Sequence, residues 1–183
     1  MLRVIRPGAL AAVSLAAFVL AGCATHRVDS YLDPRADFMR YRSYAWGERG
    51  GFSTGDPRLD NNPFFQERVQ VDVEKQLATR GFEKTTSGRP DLLIRYHASV
   101  RQRLEVNSRT GLNNGDCRID DCRPYVYDKG ALVLDLVDAR TNNLVWRGWA
   151  EGSVEGTIDN QAWMEQKIDE VVARILERLP HRL

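Results

Sequence analysis

The sequence has few of the residues from which most enzyme sites are built. Its 183 residues include three histidines and three cysteines, and they contain no His-x-x-x-His pair, no Walker loop and no dinucleotide-binding glycine pattern. His97 and Ser99 lie on the same predicted strand face, but about 7 Å apart, which is too far for a nucleophile to touch its base. We therefore predict that the chain is not an enzyme and that it binds no cofactor and no metal.

An excess of charge of one sign is also missing. The chain has 26 Lys and Arg against 25 Asp and Glu, a net charge of +1. Removal of residues 1–22 would take away Arg3 and Arg6 and no acid, leaving 24 basic against 25 acidic residues, or −1. Because nucleic-acid binding depends on basic charge, this balance predicts no nucleic-acid partner. The hydrophobic fraction of 43% and the charged fraction of 28% are typical of a globular domain.

No apolar run is long enough to cross a membrane. The apolar stretch from Ala9 to Val19 is shorter than the roughly 20 residues that a membrane-spanning helix needs. It follows two arginines and leads into the string Leu20-Ala21-Gly22-Cys23, in which small residues precede the cysteine. This arrangement resembles the signal peptide of bacterial lipoproteins. The resemblance implies that residues 1–22 are removed by cleavage between Gly22 and Cys23, and that Cys23 carries acyl chains such as palmitate.

Acylation of Cys23 would anchor the mature protein to a membrane. Each buried CH₂ group contributes about 0.8 kcal/mol, so two or three acyl chains hold a protein almost permanently. Ala24, and not Asp, follows the cysteine, which by resemblance to enterobacterial lipoproteins favours the outer membrane, with the domain facing the periplasm. Residues 23–27 would form the lipidated tether. The alternative is an ordinary cleaved signal peptide and an unmodified Cys23.

The two other cysteines, Cys117 and Cys122, lie close together in a polar segment. In an oxidising periplasm, two thiols at this spacing favour a local disulfide, which would pin the tip of a loop. Free thiols remain an alternative. A metal site with the neighbouring Asp116, Asp120 or Asp121 is a third reading, but the second Cys or His pair of a zinc site is missing.

The hydrophobic pattern predicts a single domain over residues 28–179, followed by a tail over 180–183. Apolar residues mark five segments that we predict to be strands, the last three joined by a polar loop over 107–129 and a hairpin turn over 139–143. These segments are 28–32, 42–46, 91–106, 131–138 and 144–153.

Two amphipathic helices are predicted as well. The first begins at Pro63, with Asn62 as its N-cap, and stops at Gly81. The second is capped by Thr157 or Asp159 and ends at Pro180. Together the elements predict an α+β two-layer sandwich, in which a mainly antiparallel sheet of about five to six strands carries two long helices on one face.

Trp146 and Trp149 fall on opposite faces of the last predicted strand, because side chains alternate along a strand. Trp146 shares its parity with small and apolar residues and is predicted to lie in the core. Trp149 would lie on the outer face, in a possible binding face with Arg147, His97, Arg95 and Arg101, since an aromatic plate beside guanidinium groups can hold a sugar, carboxylate or phosphate. The alternative is that Trp149 packs across the strands while Arg147 pairs with Asp135 or Glu151.

Several short motifs along the mature chain resemble one family. They are Asp33-Pro34, Asp37-Phe38, Tyr41, Ser43-Tyr44-Ala45-Trp46, Asp91-Leu92-Leu93, Gly130 to Asp138 and Leu144-Val145-Trp146-Arg147-Gly148-Trp149. Together they are similar to domain-of-unknown-function family 4136 of bacterial lipoproteins, over about residues 28–179. The resemblance implies a lipid-anchored cell-envelope domain of mixed α/β structure without an established activity. The chain departs from the family pattern in its Asn142-Asn143 turn and in the insert from Cys117 to Cys122.

From these observations we expect a non-catalytic scaffold or adaptor of the cell envelope, held near the outer membrane and binding an envelope protein. The outer face of the sheet and the two long loops are the surfaces available for that partner. The alternative is a module that binds a small envelope ligand or glycan, such as a fragment of peptidoglycan or lipopolysaccharide.

Overall fold

The computed structural model describes residues 26–47, 54–60, 62–108 and 122–180. The predicted cleavage site at Gly22 and Cys23 lies outside these residues, and so does Cys117. Cys122 is the first residue of a strand. The predicted acylation and the predicted disulfide therefore remain predictions.

Six strands form one mixed sheet in the order β1-β6-β5-β4-β2-β3. The strands β1, β6, β5 and β4 pair antiparallel, whereas β2 pairs parallel to both β4 and β3. The parallel pairs arise because a helix crosses over between β2 and β4. The predicted α+β sandwich is confirmed, with a sheet that is mixed at one edge. The strands are Arg27–Leu32 (β1), Ser43–Trp46 (β2), Glu83–Lys84 (β3), Leu92–Ser108 (β4), Cys122–Asp138 (β5) and Leu144–Ser153 (β6).

Among the described residues, three α-helices accompany the sheet, the short α1, Pro57–Asp60, and the long α2, Pro63–Thr79, and α3, Gln161–Leu176, and a 3-10 helix, Phe38–Arg40, precedes β2. The predicted N-cap of α2 is confirmed, because the Asn62 side chain accepts a hydrogen bond from the Phe65 amide. The predicted cap of α3 is wrong. Asn160 caps this helix, because Thr157 lies in the preceding turn and the Asp159 carboxylate is engaged by a guanidinium group.

The two long helices run in the same direction along one face of the sheet. Two ion pairs in matching order join them, Arg68 with Glu165 at 2.8 Å and Lys75 with Asp169 at 3.5 Å. Among the described residues, no helix is both long and apolar enough to span a bilayer.

The core lies between the sheet and these helices. Trp146 is fully buried, as its position in the strand predicts, and it packs among leucines, isoleucines and valines of both layers. The residues with almost no exposed surface are Leu92, Ile94, Leu134, Leu136 and Trp146 of the sheet and Val69, Val73, Leu77, Val172, Ile175 and Leu176 of the helices.

The β4–β5 hairpin is longer than the sequence predicts. Residues 122–129 were expected to belong to a loop, but β5 begins at Cys122 and pairs with β4 over the full length of both strands, from Ser108 with Cys122 to Leu92 with Asp138. Strand β6 pairs with β5 only from Lys129 onward. Residues 102–108 and 122–128 therefore project from the sheet as a two-stranded ribbon, called the ribbon below.

Candidate functional site: the open face of the sheet

The face of the sheet opposite the helices is not covered by any helix in the described part of the chain. We call this surface the open face. Four of the five predicted face residues gather there in two adjacent rows across the strands. In one row, Arg95 and Arg147 flank Asp135, and in the next, His97 and Trp149 flank Val133.

Arg101, the fifth predicted residue, lies apart from this group. It is exposed and shares the face, but it stands opposite Lys129, four residues further along β4 than His97. At the rise of an antiparallel strand, four residues correspond to about 14 Å. Arg101 therefore lies at the base of the ribbon and not in the cluster around Trp149.

The charged groups of the cluster are largely engaged with one another. Arg147 donates two hydrogen bonds of 2.6 Å to Asp135, one to each carboxylate oxygen. The His97 ring nitrogen Nε2 lies 4.0 Å from the same carboxylate, and Arg95 donates to the Asn142 side chain at 3.2 Å. The hydrogen bonds to Asp135 raise the pKa of Arg147 above its ordinary value. The guanidinium of Arg147 is thus committed to Asp135.

The burial of Asp135 explains this commitment. Although it lies on the open face, Asp135 is only 5% exposed, so its carboxylate needs a charged partner inside the protein. A ligand carboxylate or phosphate would have to displace Asp135 to reach Arg147. The geometry is therefore the one expected if Arg147 pairs within the sheet, and it leaves the aromatic side chains as the available contact groups.

Sequence reasoning missed one residue of the open face, Tyr31. It pairs across the strands with Arg147 at the edge of the sheet, and 48% of its surface is exposed. Trp149, two residues further along β6 and half-buried, lies diagonal to it. The alternation along β1, with Val28 turned toward the core, was the signal that could have identified Tyr31.

Two acidic residues of the family motifs lie at the end of the sheet away from the ribbon. Asp91 accepts hydrogen bonds from the Arg42 and Ser43 amides at 2.8 and 2.9 Å. Burial acts to raise the pKa of Asp91, but the hydrogen bonds from these amides and from the Ser43 hydroxyl outweigh it, so the pKa is lowered. Asp91 thus fixes the start of β2 beside β4.

Asp138 has a similar role in the β5–β6 turn. It accepts hydrogen bonds from the Arg140 and Thr141 amides and one of 3.0 Å from the Tyr41 hydroxyl. Burial, followed by the bond to Asp138, raises the pKa of Tyr41 to about 12. The turn also contains Asn142 at a positive φ of 58°, a conformation that asparagine tolerates. These motif residues hold elements of the fold together.

An apolar cavity of about 90 Å³ lies between the sheet and the N-terminal ends of α2 and α3, lined by residues such as Phe65, Val100, Leu132 and Ile168. The His26 ring borders the cavity, and among the described residues neither ring nitrogen has a hydrogen-bond partner; the Glu170 carboxylate lies 3.9 Å from Nδ1. Burial, with smaller effects of Lys167 and Arg174, lowers the pKa of His26. Within the described ranges, no three His, Cys, Asp or Glu side chains come together as a metal site would require.

Comparison with solved structures shows related folds. A PDZ domain protein from Parabacteroides distasonis ATCC 8503 is 15% identical over 85% of this chain and 36% of its own, with a TM-score of 0.53. The chain thus spans about a third of that protein, and the likeness shows a shared fold and not a shared function. A PelC dodecamer from Paraburkholderia phytofirmans is 11% identical over 86% of this chain and 99% of its own, with a TM-score of 0.48.

A DUF4136 family protein from Bacteroides thetaiotaomicron VPI-5482 is 12% identical over 79% of this chain and 92% of its own, with a TM-score of 0.47. None of the curated proteins compared with the chain matches it. The family model described as a domain of unknown function, DUF4136, matches residues 28–181. Because that match covers most of the sequence, the chain belongs to the DUF4136 family.

Proposed function

We propose that the protein is a lipid-anchored, non-catalytic scaffold or adaptor of the outer membrane, and that a partner protein docks on its open face. The observation that carries the proposal is a sheet with helices on one side and ordered aromatic and charged side chains on the other. Tyr31 and Trp149 offer amphipathic contact area there, a residue type enriched in protein interfaces. The internal pairs around Asp135 hold this surface in one arrangement before a partner arrives.

The charges along the face favour an acidic partner surface. Arg101 and Arg103, two positions apart on β4, are exposed on this side of the sheet. The acids Asp135 and Glu151 are paired with cationic side chains, whereas Asp29 and Glu105 are exposed acids on the same face. The two exposed guanidinium groups would attract acidic side chains of a partner to that end of the face.

The cavity argues against a sugar as the ligand of this domain. A glycan needs a set of polar groups that match its hydroxyls, whereas the lining of the cavity is almost entirely apolar. On the open face, the guanidinium best placed to hold an acidic ligand is already bonded twice to Asp135. Both observations favour a protein partner over a fragment of peptidoglycan or lipopolysaccharide.

Site-specific photocrosslinking in cells that produce the protein tests the docking face. A benzoyl-phenylalanine at Tyr31 probes the open face, and the same group at Val71 of α2 is a matched control, because both side chains are 48% exposed. We expect a discrete adduct with another protein at position 31 and none at position 71. Equal products at both positions, or none at position 31, would refute the docking face. A muropeptide that raises the Tm would favour the ligand-binding alternative.

The anchor is tested separately, by mass spectrometry of the N-terminal peptide of the mature protein. The expected peptide begins at Cys23 and carries the mass of the acyl chains, and it disappears in a Cys23→Ser variant, which should remain unprocessed. A peptide that begins at an unmodified Cys23 would overturn the membrane anchor while leaving the docking face untouched.

A further inference from the structure

The ribbon carries apolar side chains that the rest of the domain does not cover. Leu104 of β4 is 67% exposed and Val126 of β5 is 56% exposed, and the two stand directly opposite each other across the strands. They share the parity of Val100, so they lie on the helix side of the sheet. The ribbon thus continues the apolar face of the core beyond the point where the helices end.

A third exposed apolar side chain lies at the same end of the domain. Trp163, in the first turn of α3, is 58% exposed. The chain reaches this helix from the base of the ribbon, where the Val154 amide donates to the Asp128 carbonyl, and the Trp163 ring lies close to Gly156 in the connecting turn. Leu104, Val126 and Trp163 therefore share one end and one side of the domain.

The N-terminus enters at this end too. Arg27, the first residue of β1, pairs with Glu151, which pairs with Ala131, which pairs with Ser99. The four residues thus stand at one level of the sheet, at the base of the ribbon. Strand β1 runs from that level away from the ribbon, and His26, the residue before Arg27, lies beside Gly152, one residue nearer the ribbon.

The lengths of the tether and the ribbon can be compared. Cys23 precedes Arg27 by four residues, and even a fully extended chain spans only about 14 Å over that distance. Leu104 lies five residues beyond the level of Ser99, or about 17 Å, and Ser108 lies nine residues beyond it, or about 30 Å. A membrane surface that holds Cys23 therefore lies within about 14 Å of Arg27, a distance that the outer half of the ribbon is long enough to bridge.

From this geometry we propose that the helix-side surface of the ribbon, Leu104 and Val126, lies with Trp163 in the interfacial layer of the bilayer that holds Cys23. The inference rests on the proposed anchoring through Cys23. Tryptophan favours the headgroup level of a bilayer. A shallow contact with the bilayer would also remove the exposed side chains of Leu104 and Val126 from water. The proposed contact is shallow, at the headgroup level, where water and headgroups can pair with backbone groups at the edges of a two-stranded ribbon. The opposite side of the ribbon, which carries Arg103 and a stacked pair of tyrosine rings, faces away from the bilayer, as the open face does.

The test uses the full-length mature protein, purified with its acyl chains and reconstituted into vesicles of phosphatidylethanolamine and phosphatidylglycerol. A benzoyl-phenylalanine replaces Leu104, and a matched variant carries it at Leu32. Leu32 is also a leucine at the surface, 41% exposed, but it lies at the end of β1 that is away from the ribbon. We expect lipid adducts after irradiation at position 104 and none above background at position 32. Protein–protein adducts at position 104, with a second copy or another protein, would overturn the proposal, as would equal lipid adducts at both positions.

Two further readouts keep the result interpretable. The mass of the N-terminal peptide of the same sample is measured. An acylated Cys23 without a lipid adduct at position 104 overturns the ribbon contact alone. An unmodified Cys23 overturns the anchor together with this inference. Vesicles with brominated acyl chains should quench wild-type tryptophan fluorescence more than that of a Trp163→Phe variant. Equal quenching of the two proteins would remove Trp163 from the membrane contact.

Discussion

Gly148 is the position at which a single methyl group should disturb the core most clearly. Its helix-side surface faces the fully buried Trp146 and Ile175. A Cβ at this position would overlap the end of the Trp146 ring and would lie 2.6 Å from the Cγ2 of Ile175. Neither neighbour is the free end of a flexible chain, so the core has to shift. Overpacking of this kind costs about 1–3 kcal/mol, which for a domain of this size lowers the Tm of a Gly148→Ala variant by about 2–12 °C.

The reasoning is tested by thermal or urea unfolding of four proteins: wild type, Gly148→Ala, Trp146→Phe and the double variant. Phenylalanine lacks the outer ring atoms that would overlap the new methyl group, and the exchange also removes an indole nitrogen that is buried without a hydrogen-bond partner. The cost of Gly148→Ala should therefore fall by at least about 0.5 kcal/mol in the Trp146→Phe background. Ser153→Ala, at an exposed site on the same strand, is the control and should change stability by less than about 0.5 kcal/mol. Additive costs would refute the proposed clash.

Three other outcomes follow from the contacts of the polar groups. Each of the substitutions Asn62→Ala and Asn160→Ala removes an N-cap, so each should lower the free energy of unfolding in urea by about 1 kcal/mol. Asn→Asp at either site should retain the stability. Unchanged stability of both alanine variants would contradict the capping role. The pKa of Asp91 is lower in the folded protein than in the unfolded chain. The ionised carboxylate therefore stabilises the fold fully above the unfolded pKa of about 3.9, and this stabilisation is lost as the pH falls through the folded pKa. The stability difference between wild type and Asp91→Ala should thus shrink on acidification, and a difference that grows would contradict it. Arg147→Ala should cost about 1–3 kcal/mol because it leaves the Asp135 carboxylate buried without its main partner, and adding Asp135→Asn should recover part of that loss; no recovery would show that Arg147 acts through packing alone.

The core was predictable from the sequence because its signals are local. The apolar spacing from Phe65 to Leu77 sets the buried face of α2, and Asn62 before Pro63 fixes its start. The alternation around Trp146 decides which tryptophan enters the core and which one stays outside. Such signals depend on neighbouring residues within one helix or strand, so they can be read from the sequence even when the partner strand or helix is unknown.

The ribbon escaped prediction, and the sequence left the partner of Arg147 open between Asp135 and Glu151, for the opposite reason. Pro124 and Gly130 interrupt the strand pattern of β5, because proline lacks the amide proton of a regular strand residue and glycine weakens a strand. The partner of Arg147 depends on register, which the β5–β6 turn and an irregularity between Leu136 and Val137 set together. Neither fact can be read from one segment alone.

Some family-motif residues, Arg147 and Trp149, lie on the open face, whereas others lie away from both proposed contact surfaces. Asp91, Asp138 and Tyr41 are engaged in hydrogen bonds that join elements at one end of the sheet, and Gly148 makes room for Trp146 in the core. Substitutions at these residues should change stability before they change any interaction. The ribbon and the exposed aromatic groups of the open face contribute little to the core, so they can change without loss of the fold. A variant that keeps its Tm and loses its envelope phenotype is therefore expected on these two surfaces. A substitution on the ribbon would remove a contact with the membrane, and a substitution on the open face would remove a contact with a protein.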